Sequence, residues 1–323
     1  MKKIIVLFLS LFTLTLMQAQ TPMQYPKEGV PPLSEDLYKE GLKFISQGKY
    51  SEAIKFFNEA ISIAKDSSKY FMERGRAHIL LLKYNDAYAD YTDAIRLKGN
   101  NTEAYLLRAD LLLIAQKSYE SIKDANMAIM ISPFDSVKKA GYINNGVART
   151  NIRDFEGAFA DLQKALKYDS LDPKIYSNIG TVYDEKLDTA NAIKFNKKAY
   201  KIDSNFLPAL ANIGFIRSKY GNYKGALSTF NKILKRQPDM AFVLNNRGYV
   251  KMKLGDNKGA LTDINGSLKY NPTNSYAFKN RALVYIQQKK FKPACVDLQK
   301  AKDLGYLMMY GSEVDNLLLM YCK

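Results

Sequence analysis

His78 is the one imidazole in 323 residues. Paired-His metal sites and Cys/His clusters therefore lack their ligands, and a hydrolytic triad would have this single base to use. His78 occupies a helical position whose counterparts elsewhere in the chain are Phe44 and Leu112, so it reads as a packed side chain rather than a base. Carboxylates are spread through stretches such as "YADYTDAI" and "AFADLQKAL", where they support helices instead of facing one another. The glycines follow neither GxGxxG nor GxxxxGK. No catalytic constellation and no cofactor or metal site is expected. What recurs instead is a neutral hydrogen-bonding group. Asn144, Asn178, Asn212, Asn246 and Asn280 are separated by steps of 34. An Asn amide offers both a donor and an acceptor, and Asn is unfavourable inside a helix, so the regularity needs a reason.

The reason begins with the small residues that the Asn row accompanies. Each Asn precedes by two places Gly146, Gly180, Gly214, Gly248 or Ala282; Gly41, Gly75 and Ala109 continue the series towards the N-terminus, with a three-residue insertion near Phe134–Ser136. Twelve residues after each comes a second small side chain (Ala53, Ala87, Ser121, Ala158, Ala192, Ala226, Ala260, Ala294). Seven further on lies a third position: Ala60, Ala94, Ala128, Ala165, Ala199, Ile233, Ser267, Ala301. Bulky residues such as Tyr142, Tyr176 and Leu210 stand four before the first. Apolar residues spaced i, i+3, i+4, i+7 make each unit two amphipathic helices. The small residues lie where helices cross, and one unit cannot bury its own apolar face, so neighbours must stack.

The large–x–x–x–Gly, Ala, aromatic, Ala and Pro positions, clearest in "ALANIGFIRSKYGNYKGALSTFNKILKRQPD", resemble the tetratricopeptide repeat family. That resemblance implies an all-α solenoid of about eight helix-turn-helix units in a right-handed superhelix, and a binding scaffold rather than an enzyme. The units read as 34–67, 68–101, 102–135, 139–172, 173–206, 207–240, 241–274 and 275–308, with 309–323 as a capping helix starting at about Ser312 after a loop, "LGYLMMYG". If that helix runs antiparallel to the last helix of the array, Cys295 and Cys322, the only cysteines, face each other. They form either a disulfide pinning the cap or two separate thiols.

The N-terminal "MKKIIVLFLSLFTLTLMQAQ" pairs a basic start with a short apolar run, too short for a bilayer span of ~20 residues. Residues 1–19 read as a secretory signal and 20–33, with four prolines, as an extended linker. Met17 is large for its place before the cut, which leaves an uncleaved anchor open. The expectation is a bacterial protein exported to the periplasm or secreted.

In the resembled family the first helices line the concave surface, so the Asn row would run along it. A similar asparagine ladder lines the repeats of the O-linked N-acetylglucosamine transferase family; only its binding role could carry over. The row suits the backbone of an extended peptide, or alternatively bridges neighbouring first helices. Charge favours a partner. Residues 34–172 balance 20 Lys+Arg with 20 Asp+Glu, whereas residues 173–323 carry 25 against 11. Among the excess, Arg217, Lys219, Lys251 and Lys253 stand on Asn-bearing first helices. With the Asn row they form the candidate groove for an acidic or extended segment of a protein partner. The alternatives are an anionic polymer (polysaccharide, with nucleic acid disfavoured because aromatics are not arrayed with the basic residues) and an accessory subunit that positions an enzyme.

Overall fold

The computed structural model describes residues 33–322; the expected signal and linker lie outside them, apart from Leu33. Every regular element among the described residues is a helix. Two halves are compact, dividing between Ser170 and Leu171. The N-terminal half holds four hairpins: α1 (Ser34–Ser46) with α2 (Tyr50–Ile63), α3 (Ser68–Leu80) with α4 (Tyr84–Leu97), α5 (Thr102–Ile114) with α6 (Ser118–Ile131), and α7 (Asp135–Asn151) with α8 (Phe155–Tyr168). The C-terminal half holds α9 (Pro173–Glu185) with α10 (Thr189–Ile202), α11 (Leu207–Lys219) with α12 (Tyr223–Arg236), α13 (Ala241–Lys253) with α14 (Asn257–Tyr270), and α15 (Ser275–Gln287) with α16 (Phe291–Asp303). The short α17 (Tyr306–Tyr310) and α18 (Glu313–Tyr321) close it. Each half is an all-α solenoid of four stacked hairpins.

Steric room at the helix crossing sets the hairpin. The first small residue lies against the side chain sixteen places later. A Cβ added to Gly75, Gly214 or Gly248 would sit 2.6, 2.5 or 2.6 Å from Tyr91, Phe230 or Ile264. Those three partners are themselves essentially inaccessible. The second and third small positions are fully buried in all eight hairpins, from Ala53 and Ala60 to Ala294 and Ala301. Each hairpin turns through one left-handed residue: Gly48, Leu82, Gln116, Arg153, Leu187, Gly221, Gly255 and Lys289. Five of the eight are not glycine, so hydrogen bonding holds the turn. Behind Leu187, for example, the Asp188 N–H returns to the Tyr183 carbonyl at 2.9 Å. Asp188 then caps α10 by accepting from Asn191.

Two segments differ from the sequence reading. The insertion near Phe134 adds a turn to the start of a helix: α7 has 17 residues, against 13 in each of the other first helices. Pro133 stops α6, and nothing between Asp135 and Tyr142 prevents the next helix from starting early. The stretch expected as a loop before the cap contains α17, bounded by Gly305 and Gly311 at φ of 79° and 85°. Its Tyr306, 1% exposed, stacks on Tyr276 of α15 at 6.1 Å between ring centres. Apolar burial of that ring offsets the cost of the extra turn. A disulfide joins Cys295 of α16 to Cys322 just past α18.

Overpacking at a crossing costs ~1–3 kcal/mol, more than the helix-propensity gain of up to ~1 kcal/mol from Gly to Ala. Gly214→Ala is therefore expected to lower unfolding stability by about 1–2 kcal/mol in denaturant titrations. Gly266→Ala, whose new Cβ would meet only Leu244 at 3.5 Å, should raise it.

Candidate functional site

In the C-terminal half α9 touches α11, α11 touches α13 and α13 touches α15, while no second helix makes comparable contact with the next. The first helices thus crowd together on one side, the inner wall of this half. Asn178, Asn212, Asn246 and Asn280 belong to that wall; Asn144 belongs to α7 of the other half.

The amides do different work. Asn212 donates to Ser177 Oγ at 3.1 Å and to Asn196 Oδ1 at 3.2 Å, reaching from α11 to both helices of the preceding hairpin. Ser177 Oγ also donates to Asn196 Oδ1 at 3.0 Å, and Asn196 Nδ2 donates to the Ala192 carbonyl. Asn280 donates to Asn245 Oδ1 at 3.0 Å, from α15 to α13. In both cases the Asn two places before the small residue bonds the residue three places before it on the preceding first helix. Asn246 finds Ala211 at that place, and its amide nitrogen is buried without a partner among the described residues. Asn178 is half-buried.

The four basic candidates also divide. Arg217 turns away from the wall and donates to the Gly225 carbonyl (3.2 Å) and Thr229 Oγ1 (2.8 Å) of its own second helix. Lys251 does likewise, 2.9 Å from Asp263. Two residues further along each helix, Lys219 reaches Asp184 on the neighbouring first helix at 2.7 Å. Lys253 is exposed, its ammonium 5.4 Å from the Tyr249 ring centre.

The position of Arg217 and Lys251 is the place of His78 and Arg149 in other hairpins. His78 Nδ1 lies 2.9 Å from Asp90, and Arg149 Nε donates to Asp161 at 2.9 Å. In two hairpins both this position and the residue twelve on are aromatic: Phe44 stacks with Phe56 at 5.1 Å and Tyr183 with Phe195 at 5.2 Å, whereas Tyr285 has Asp297 at that spacing. The twelve-residue spacing was present in the sequence and marks a pair within a hairpin. A second signal, Arg followed sixteen places later by Asp, was equally available. Arg108, Arg247 and Arg281 each donate two hydrogen bonds of 2.7–2.8 Å to Asp124, Asp263 and Asp297. Their remaining nitrogens donate to Thr92, Asn231 and Asn265 on the preceding hairpin at 3.1, 3.0 and 2.8 Å. Such forked pairs tie adjacent hairpins with a fixed geometry. Among the described residues no three His, Cys, Asp or Glu side chains group as a metal site.

Residues 37–67 and 173–206 match the family model described as tetratricopeptide repeat. Those two stretches fall on the α1–α2 and α9–α10 hairpins, which are similar to tetratricopeptide repeats. The chain is 30% identical over 106 residues to mouse DnaJ homolog subfamily C member 7, a match covering 33% of this chain and 21% of that protein. The match to this curated relative thus spans about a fifth of the relative's length. A tetratricopeptide repeat protein from Parabacteroides merdae superposes with a TM-score of 0.53 at 16% identity, covering 90% of this chain and 99% of that one. The type IV pilus biogenesis factor PilW gives 0.56 at 15% identity, covering 65% and 96%. At these identities the structures share the fold.

A buried bridging amide contributes on the order of 1 kcal/mol, and stranding its partner costs more. Asn212→Ala and Asn280→Ala are each expected to lose roughly 1–2 kcal/mol of stability. Asn178→Ala should change it by less than about 0.5 kcal/mol in the same chemical denaturation series.

Proposed function

We propose that this chain is an exported, non-enzymatic scaffold that holds an acidic, extended segment of a partner protein along the first helices of its C-terminal half. The observation that carries the reading is the charge split: residues 34–172 are neutral in sum, and residues 173–323 hold an excess of 14 positive charges. Export rests on the character of residues 1–19, which fit the periplasm or the outside of a bacterial cell.

Within the wall, hydrogen bonding sorts the candidates. Asn212, Asn280, Arg217 and Lys251 hold helices together and so set the shape of the surface. Asn178, Lys219 and Lys253 are the groups that meet the bound segment. Lys219 already pairs with Asp184, a first-helix neighbour 7% exposed, which fixes its ammonium at the wall instead of letting it swing free. Charge attracts the segment and speeds capture, while amides and rings along the wall give the contact its register.

The same charge permits binding of an anionic polymer through the outer face, where Lys197, Lys201, Lys232 and Lys235 are exposed on α10 and α12. The two surfaces separate by mutation. A fluorescein-labelled hexaglutamate peptide, titrated against the full chain at physiological salt, should bind ~10-fold more weakly to a Lys219→Gln/Lys253→Gln variant. Exchanging the four outer lysines for Gln should change affinity less than about 2-fold. The reverse ranking would refute the groove reading in favour of the polymer.

A further inference from the structure

Lys279 stands on α15 three places before Ala282, the register of Ser177 and Asn245 on α9 and α13. It is 3% exposed, a rare state for a lysine. Its ammonium lies 4.3 Å from the ring centre of Tyr276, 5.9 Å from that of Tyr306 and 6.0 Å from that of Tyr249. Three aromatic faces favour a cation there, but a buried ammonium also demands a carboxylate. Glu313, in the first turn of α18, supplies it at 3.2 Å and also accepts from the Tyr306 hydroxyl at 2.9 Å. The pair is lopsided. The lysine side chain is 4% exposed and the glutamate side chain 50%, so the carboxylate enters from solvent onto a cation that cannot leave. Beside it, the Asn280 side-chain oxygen is buried without a partner among the described residues.

We propose that Lys279 and its tyrosine cage are the anchor subsite for a carboxylate side chain of the bound segment. Glu313 of the chain's own capping helix occupies that subsite until the partner displaces it. Exchange of one carboxylate for another keeps the ammonium paired, so the buried charge is compensated throughout. Burial pushes the Lys279 ammonium below the usual lysine range, opposed by Glu313, which is the response of a cation held where water does not solvate it. Only the Glu313 side chain has to swing away, because the helix stays seated: Val314 is 2% exposed in the core with Leu298 and Tyr306, and Asp315 pairs with Lys302 at 2.9 Å. Gly311, in a left-handed conformation that favours glycine, lies two residues before Glu313. Beyond the far end of α18, Cys322 is bonded to Cys295, which holds the other end of the helix.

This inference rests on the groove reading, and its test separates the two. Labelled hexaglutamate is titrated against the full oxidised chain and against Glu313→Gln, which removes the competing charge but keeps an acceptor for Tyr306. The expected result is binding ~5- to 20-fold tighter for Glu313→Gln, with the gain abolished by adding Lys279→Met. Tyr306→Phe, which removes one of the two partners that hold Glu313 without changing the charge, should show a smaller gain of about 2- to 5-fold and keeps the test valid if Glu313→Gln melts early. Equal or weaker binding by both Glu313→Gln and Tyr306→Phe overturns the placeholder role, while parent binding that still depends on Lys219 and Lys253 leaves the groove reading intact. No binding by any variant overturns both.

Discussion

The closeness of the two helices in each hairpin is the constraint on which everything else rests. Gly214 has room for a hydrogen where a methyl would strike Phe230, and the same contact recurs in Gly75 against Tyr91 and Gly248 against Ile264. Close approach buries the second and third small positions completely. A hairpin so flattened has one apolar face left over, and stacking is how it is buried. The direction of every side chain on the first helices follows from that geometry. Residues near the crossing are committed to packing, those one turn later point back into the hairpin, and those on the remaining face form the inner wall.

Polar side chains then make the stack specific. The forked Arg–Asp pairs at Arg108, Arg247 and Arg281 join three helices each. In the middle of the chain, where Ile179 and Ile213 replace that arginine, the amide cluster of Ser177, Asn196 and Asn212 does the same bridging without charge. Buried polar groups are costly unless fully partnered, so each such cluster fixes one register of neighbouring hairpins and disfavours slipped ones. The Asn row is accordingly two things at once. Asn212 and Asn280 are bridges, and Asn178 is a half-buried amide on the same wall.

Much of the fold was legible because its cause is local and periodic: small residues repeat at 34 wherever backbones touch, and the series survives the insertion near Phe134. What was not legible depended on rotation about a helix axis or on contact with a distant segment. Arg217 and Lys219 are two residues apart and look equally basic in the sequence. One is turned into its hairpin and the other across the wall, and the residues twelve places later, Thr229 and Asn231, are both polar and do not tell them apart. The helix α17 was hidden because "LGYLMMYG" carries two glycines; Tyr306 packing on Tyr276 is a tertiary effect that propensity does not report. Lys279 gave no signal at all, since its cage draws on Tyr249, Tyr276, Tyr306 and a carboxylate 34 residues away.

The charge split gives these details a direction. A neutral N-terminal half and a basic C-terminal half share one architecture, so the excess cannot be a requirement of the fold. Hydrogen–deuterium exchange of the full chain with and without hexaglutamate tests the central claim most directly. The account predicts added protection on α9, α11, α13 and α15 and none on α10, α12, α14 and α16. Protection of the second helices, or of the N-terminal half alone, would contradict it.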